Sequence, residues 1–354
     1  MRFLIATSLL ILAVPILWAQ PSAFTAETVP ALESMFARKS GWTGADGDYS
    51  LKLPDGRIIW LFSDTWIGRI ENGAHRDSVI IDNSVGIQTG NKIDFFYGRT
   101  DGKPAAMFTQ PDAAFWIYDG VLLEGRLQLF LQRVDKRGDD GFRHTGTVLA
   151  RISNPHDPPT DWKVEYLELP FGRFTAAGDT LFGSAILRSG GHVYVYGTSE
   201  SVTGGIHKKN LIAGRVSESK FSSFNSWRFF DGKRWRRDWR LAAPLADRFA
   251  NEFSMTYSTK LRRYVAVHTL DGISAQVALR TAPTPVGPWS APQTVFRCPE
   301  AEWGPRVICY AAKGHASLSG TDDIVVSYVA SSTDFWQIAT DARLYRPRFL
   351  RIRF

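Results

Sequence analysis

From residue 41 onward, apolar positions alternate with polar ones in short runs, and glycine, proline, aspartate and asparagine separate the runs. A period of two marks half-buried β-strands, because successive side chains point to opposite faces. The spacing predicts one unit repeated five times: a strand studded with polar residues, a tight turn, then a strongly apolar strand. The copies fall at 46–53 with 57–64, 114–123 with 127–134, 181–187 with 192–197, 252–258 with 264–269, and 310–318 with 324–330. One or two outer strands follow each copy, for example 84–88 with 93–97, 146–152 with 163–169, and 276–280 with 293–296. Helical spacing is confined to 27–37, where Val29, Leu32 and Met35 mark a short helix. The copies start roughly 60–70 residues apart, far too long a period for a β-helix, and a β-sandwich needs no such regularity. The pattern therefore predicts an all-β chain: a five-bladed β-propeller forming a single domain over 41–354, with 24–40 as an N-terminal lead-in.

The leader changes the picture of where this domain works. Arg2 precedes a nearly uninterrupted apolar run from Phe3 to Ala19, and small residues follow at Ser22 and Ala23. This reads as a signal peptide over 1–19, cleaved between 19 and 24, on a protein exported to the periplasm or the extracellular space. An uncleaved anchor is the rival; Pro15 and the single-arginine flank favour cleavage, so no stable membrane insertion is expected after processing. In such a compartment Cys298 and Cys309, eleven residues apart, most simply close one disulfide loop. The 354 residues carry 42 Lys and Arg against 35 Asp and Glu, a formal charge of +7. The positive residues are scattered apart from Lys233, Arg234, Arg236 and Arg237, which suits a solvated surface and not a nucleic-acid groove. No nucleic acid partner and a monomeric state are expected.

In a propeller the first strand of each blade lines the central channel, so its polar residues converge. Those strands carry, on or beside them, Asp46, Asp48, Asp119, Asp179, Glu252 and His315. Any one of these is better explained by satisfying a backbone group or a neighbouring arginine; the set is better explained by a ligand site. The first copy holds the sharpest signal. Pro54-Asp55-Gly56 suits a three-residue hairpin with glycine in the left-handed position. Leu53 then pairs with Arg57, and Asp46 lies opposite Asp64. Facing like charges destabilise a sheet, and one of two such carboxyls resists ionisation, which is the split that acid–base or nucleophilic work requires. Asp48, two residues along, is placed on the same face.

Paired carboxylates in an aromatic-lined cleft suit glycoside hydrolysis, one protonating the leaving oxygen while the other attacks the sugar or activates water. Asp46 and Asp64 are the candidate pair, with Glu252 a third catalytic carboxylate and candidate acid. Among twelve tryptophans, Trp42, Trp66 and Trp116 stand near the polar motifs as stacking faces for sugar rings. Asn83, Asp48, Asp119, Asp179 and His315 complete the expected substrate-binding set. No cofactor is expected; a metal ion in the channel near His315 stays open, although one histidine carries no ligand spacing.

Gly44-Ala45-Asp46-Gly47, Tyr49-Ser50 and Leu61-Phe62-Ser63-Asp64-Thr65 together resemble the opening blade of bacterial propellers known as domains of unknown function 4185 and 5005. The likeness runs on through Ile81-Asp82-Asn83-Ser84, Asn251-Glu252-Phe253-Ser254, Gly287-Pro288-Trp289-Ser290, the stretch from Tyr310 to His315, Ser327-Tyr328, and the stretch from Tyr345 to Phe349. Part of that group is similar to endo-acting D-arabinofuranases, glycoside hydrolase family 183, and more distantly to five-bladed arabinanases and xylosidases. The resemblance implies a carbohydrate-active propeller with the first-blade aspartates as its acid pair. The chain departs from the pattern at Ser63, where glycine is usual, at Ala316-Ser317, where Pro-Glu is frequent, and at Ala330-Ser331, where Val-Asn is frequent. Two classes of function follow: a secreted glycoside hydrolase acting on an arabinan-like or other cell-wall polysaccharide, or a non-catalytic propeller that binds glycans or partners. Substrate sugar, linkage, endo or exo action and stereochemistry are not legible. The exported protein is expected to begin between residues 20 and 24, checked by its intact mass; retention of 1–19 would mark an anchor instead.

Overall fold

A computed structural model describes residues 24–138 and 141–354. The leader expected over 1–19 lies outside the described residues. Among those residues the chain is all-β apart from two short α-helices, Pro30–Phe36 and Phe335–Thr340, and a few single 3-10 turns. No helix is long and apolar enough to cross a membrane.

Five antiparallel sheets of four or five strands follow one another along the chain. The first holds Tyr49–Lys52, Ile58–Phe62, Ser84–Thr89 and Lys92–Phe96, and the second Ala114–Leu123, Arg126–Gly138, Gly141–Ile152 and Val164–Glu168. The third runs through Thr180–Ser189, His192–Thr203 and Ile206–Ser217 to the short Arg228–Phe230 and Trp235–Arg236. The fourth holds Phe253–Ser258, Arg263–Thr269, Gln276–Ala282 and Gln293–Arg297. The fifth takes Val307–Gly314, Asp323–Ser332 and Pro347–Arg353, and its outer strand is the N-terminal Thr25–Thr28, paired from Thr25 opposite Arg353 to Thr28 opposite Leu350. Part of the expected lead-in therefore belongs to the last sheet, and the chain's two described ends are tied by backbone hydrogen bonds. The first strand of each sheet packs against that of the next. Ser50 and His315 join the fifth sheet back to the first, with Oγ to Nδ1 at 2.9 Å.

The Pro-Asp-Gly turn forms with Gly56 at φ 90°, and the register pairs Tyr49 with Leu61 and Lys52 with Ile58. The strand does not continue back to Asp46. Gly47 at φ 89° and Asp48 at φ 56° break it, and Asp46 follows an earlier strand, Ser40–Ala45. That strand joins Thr65–Glu71 and Ala74–Ile81, which fall between the second and third strands of the first sheet, in a small three-stranded sheet. A Cβ on Gly47 would lie 2.8 Å from the Ser63 nitrogen, so the close approach as well as the positive φ selects glycine.

Helix Pro30–Phe36 is shorter than the sequence pattern suggested and starts on a proline, whose missing N–H costs nothing in a first turn. Its one buried residue, Phe36, packs edge-on against Trp60 and Trp42 in a core shared with Phe62 and Phe349. Asn83 clamps the first sheet to the second: its Nδ2 donates to the carbonyls of Phe108 and Phe115, and its Oδ1 accepts from the Phe108 N–H at 2.7 Å.

Cys298 and Cys309 are bonded, both buried, and link the end of the fourth sheet to the inner strand of the fifth. Closing a loop of this length stabilises by about 3 kcal/mol through the unfolded chain. Cys298→Ser with Cys309→Ser is expected to lower the urea midpoint by that equivalent, and an unchanged midpoint would show that the bridge constrains nothing.

Candidate active site

The break at Gly47 and Asp48 sets the geometry. It leaves Asp46 opposite the end of the apolar strand Ile58–Phe62, with the Asp46 N–H on the Asp64 carbonyl at 3.3 Å and the Ser63 N–H on the Asp46 carbonyl at 2.9 Å. Ser63, a departure from the family pattern, is held by its Oγ donating to the Ile117 carbonyl of the second sheet at 3.3 Å.

Asp46 is half-buried, with its Oδ1 shielded from solvent. Its Oδ2 accepts from Tyr310 OH at 2.6 Å and from Tyr345 OH at 2.9 Å, while its Oδ1 has no partner. Burial, then the neighbouring charges of Asp64 and Glu252, push its carboxyl up to about 7, against the opposing effect of the two tyrosines. Asp64 is partly open, with its side chain 22% exposed. Its Oδ1 accepts from Lys136 Nζ at 2.5 Å and from Trp116 Nε1 at 3.0 Å, and Lys136 also reaches Asp82 at 2.7 Å. Burial raises the Asp64 carboxyl, and Lys136 counters it. Of the two aspartates, Asp46 therefore keeps the proton, because only Asp64 has a cation beside it.

Lys313 reaches in from the fifth sheet, wholly buried, donating to the Gly47 and Ala311 carbonyls and to Glu252 Oε1, the last at 3.2 Å. Its ammonium also lies over the Tyr49 ring, 4.6 Å from the centroid. Asp48 does not share a strand face with Asp46. It is buried with neither oxygen partnered, and burial, only partly offset by the charge of Lys313, raises its carboxyl well above the usual range.

The remaining expected residues divide. Trp116 is in the group through its bond to Asp64, and Trp66, two residues beyond Asp64, stacks on His75 and Phe335. Asp119 bonds the Gly120 and Ile186 N–H groups, joining the second sheet to the third, and burial pushes its carboxyl up to about 7. Asp179 meets His144 Nδ1 at 3.2 Å beside Trp116. His315 is packed against Trp60 and Phe349 with Nδ1 on Ser50, and burial drives its imidazole down to about 3. Trp42 is stacked on Phe95 inside the core with 2% exposure, which leaves no face for a sugar. Asn83 is likewise spent on its three backbone partners. Among the described residues, the one trio of Cys, His, Asp and Glu donors close enough for a metal is Cys298, Glu300 and Cys309, and its cysteines are bonded to each other.

Tyr310, Lys313, Tyr345, Lys136 and Asp82 were not anticipated as site residues. The first two stand in the motif from Tyr310 to His315, but a register shift at left-handed Ala311 (φ 59°) breaks the alternation that would have placed them.

A model of the family described as Domain of unknown function (DUF5005) matches residues 31–353. No curated protein sequence matches significantly. Among solved structures, a candidate hydrolase from Bacteroides ovatus shares the fold at TM-score 0.76 and 20% identity, over 96% of this chain and 93% of that one. Zg3597, a family 117 glycoside hydrolase from Zobellia galactanivorans, aligns at TM-score 0.54 and 11% identity, over 93% of this chain and 90% of that one. A GH43_1 enzyme from Xanthomonas citri, complexed with xylotriose, aligns at TM-score 0.50 and 15% identity, over 92% of each.

The raised carboxyl of Asp46 has a consequence for stability. The folded chain holds this proton up to about 7 and the unfolded chain only to about 3.8. The contribution is complete below the lower value and is lost as pH rises through the upper one. Asp46→Asn keeps the shape without the charge, so its gain in melting temperature over wild type is expected to be larger at pH 8 than at pH 5. An equal difference at both would refute a proton held on Asp46.

Proposed function

The chain belongs to the DUF5005 family, and on that premise we propose that it is a glycoside hydrolase cleaving a polysaccharide with paired carboxylates. The observation that carries this reading is the inequality of two adjacent aspartates: Asp46, held by two tyrosines with its carboxyl pushed up to about 7, and Asp64 next to it, paired with Lys136. Fold likeness to family 117 and family 43 glycoside hydrolases supports treating the five sheets as blades of a five-bladed propeller, with their inner strands around the site.

In this mechanism Asp46 is the acid. Its carboxyl, held in place by the two tyrosines at Oδ2, passes its proton to the leaving glycosidic oxygen. Asp64, ionised beside Lys136, acts on the anomeric carbon directly or through a water. Glu252, ion-paired with Lys313, adds the negative charge that keeps the Asp46 proton in place and favours an oxocarbenium-like transition state. The apolar leader supports export, and the carbohydrate substrate is met outside the cytoplasm by a monomer.

A screen of the purified protein against arabinan, xylan and galactan with product detection tests the reading. Asp46→Asn and Asp64→Asn are each expected to lower turnover by about 10³-fold or more. Wild-type turnover is expected to fall as pH rises through about 7, where Asp46 loses its proton. Both variants retaining activity within about tenfold would overturn the assignment. Glycan binding without cleavage would favour the non-catalytic alternative.

A further inference from the structure

Large apolar side chains exposed to water are unevenly distributed. Strand direction places Asp46 and Asp64 at one end of the sheets, opposite the Pro-Asp-Gly turn. At that same end lie Phe142 (57% exposed), Ile206 (63%), Ile273 (61%), Phe335 (51%) and Trp336 (73%). Four of the five stand on segments projecting past a sheet: the hairpin around Phe142 from the second, the tip at Ile206 from the third, and helix Phe335–Thr340 after the second strand of the fifth. Scattered exposed hydrophobics are ordinary; a concentration around one mouth marks a binding surface.

Two aromatic tracks lead to this rim, one from Asp64 itself and one from the strand that follows it. On one side Trp116 donates its Nε1 to Asp64 and meets Phe142 edge-on at 4.4 Å between centroids. On the other, Trp66 stacks on Phe335 at 5.7 Å, and Phe335 touches Trp336 at 5.8 Å. We propose that Phe142 and Trp336 are specificity-determining platforms that stack sugar units on either side of the reacting bond, so that the ligand is a glycan chain lying across the mouth and not a single terminal sugar. Aromatic faces suit the C–H faces of sugar rings, and Trp and Phe supply that area with few rotors to freeze. The continuity of the Trp116–Phe142 track with Asp64 selects a glycan as the occupant. The inference rests on the glycoside hydrolase reading and deepens it.

Binding is measured by calorimetry in the Asp64→Asn background, with di- and hexasaccharides of arabinan, xylan and galactan, and turnover in the wild-type background. One hexasaccharide is expected to bind at least tenfold more tightly than its disaccharide. Phe142→Ala and Trp336→Ala are each expected to remove about tenfold of the hexasaccharide affinity, leave the disaccharide within about twofold, and leave the melting temperature unchanged, with Trp336→Phe restoring binding. Equal binding of both lengths, or equal weakening of both by the variants, would overturn the inference. So would retention of wild-type protein on anionic phospholipid vesicles that Trp336→Ala abolishes, since the rim would then be a membrane surface. Length-dependent binding with no cleavage by wild type keeps this inference and refutes the hydrolase; cleavage without length dependence does the reverse. No binding to any of the oligosaccharides refutes both.

Discussion

The structure turns on a cluster of charge withdrawn from water where the first, fourth and fifth sheets meet. Asp46, Asp48, Glu252 and Lys313 stand within electrostatic reach of one another, and Asp48 and Lys313 are almost wholly buried. An isolated buried charge costs several kcal/mol, so such a cluster survives only where the scaffold holds partners rigidly in place. Lys313 does this across three sheets, with bonds to its own strand, to the Gly47 carbonyl and to Glu252. Tyr310, from the inner strand of the last sheet, and Tyr345, just before its strand Pro347–Arg353, fix Asp46 from the other side.

That dependence explains features remote from the chemistry. The N-terminal strand completes the last sheet, so the sheet that supplies Lys313 and Tyr310, and that Tyr345 leads into, is locked by both described ends of the chain. A Cβ on Gly44 would come within 2.5 Å of the Tyr345 carbonyl, which is how tightly the small sheet approaches the segment leading into the last strand. The disulfide braces the inner strand of the same sheet just before Tyr310. Left-handed Ala311 and Asp48 are strained positions for side-chain-bearing residues, and both adjoin the cluster. Local strain of this kind persists where the surrounding contacts over-determine it.

The strands were legible because their alternation is a local property, and the three-residue turn fixed the pairing of Tyr49 with Leu61. The proximity of Asp46 to Asp64 followed from that register, although the route differs: a kink at Gly47 and Asp48 replaces a continuous strand, and it turns Asp48 toward Lys313. Periodicity could not foresee this, since a backbone reversal at Asp48 is paid for by contacts hundreds of residues away. Trp42 and Asn83 show the same limit. Both lie beside polar motifs in the chain, yet Trp42 faces the aromatic core and Asn83 caps backbone groups between sheets. Lys136 lies on a long hairpin whose reach over Asp64 leaves no trace in composition.

The arrangement of cations then decides which carboxyl does what. Lys136 serves Asp64 and Asp82, and Lys313 serves Glu252, so two lysines from different sheets meet five carboxyl groups once Asp46 and Asp48 are included. Charge comes close to balance only if Asp46 and Asp48, the two that bond no lysine and whose carboxyls desolvation raises, hold protons. The single excess negative charge then rests among Asp64, Asp82 and Glu252, whose side chains are 22%, 35% and 18% exposed and so retain contact with water. Desolvation and cation placement thus act in the same direction: they favour a proton on Asp46 and leave a charge on its neighbour beside Lys136. A pair of identical residues is in this way made chemically unequal without any difference in sequence between them, which is the asymmetry that cleavage by an acid and a carboxylate requires.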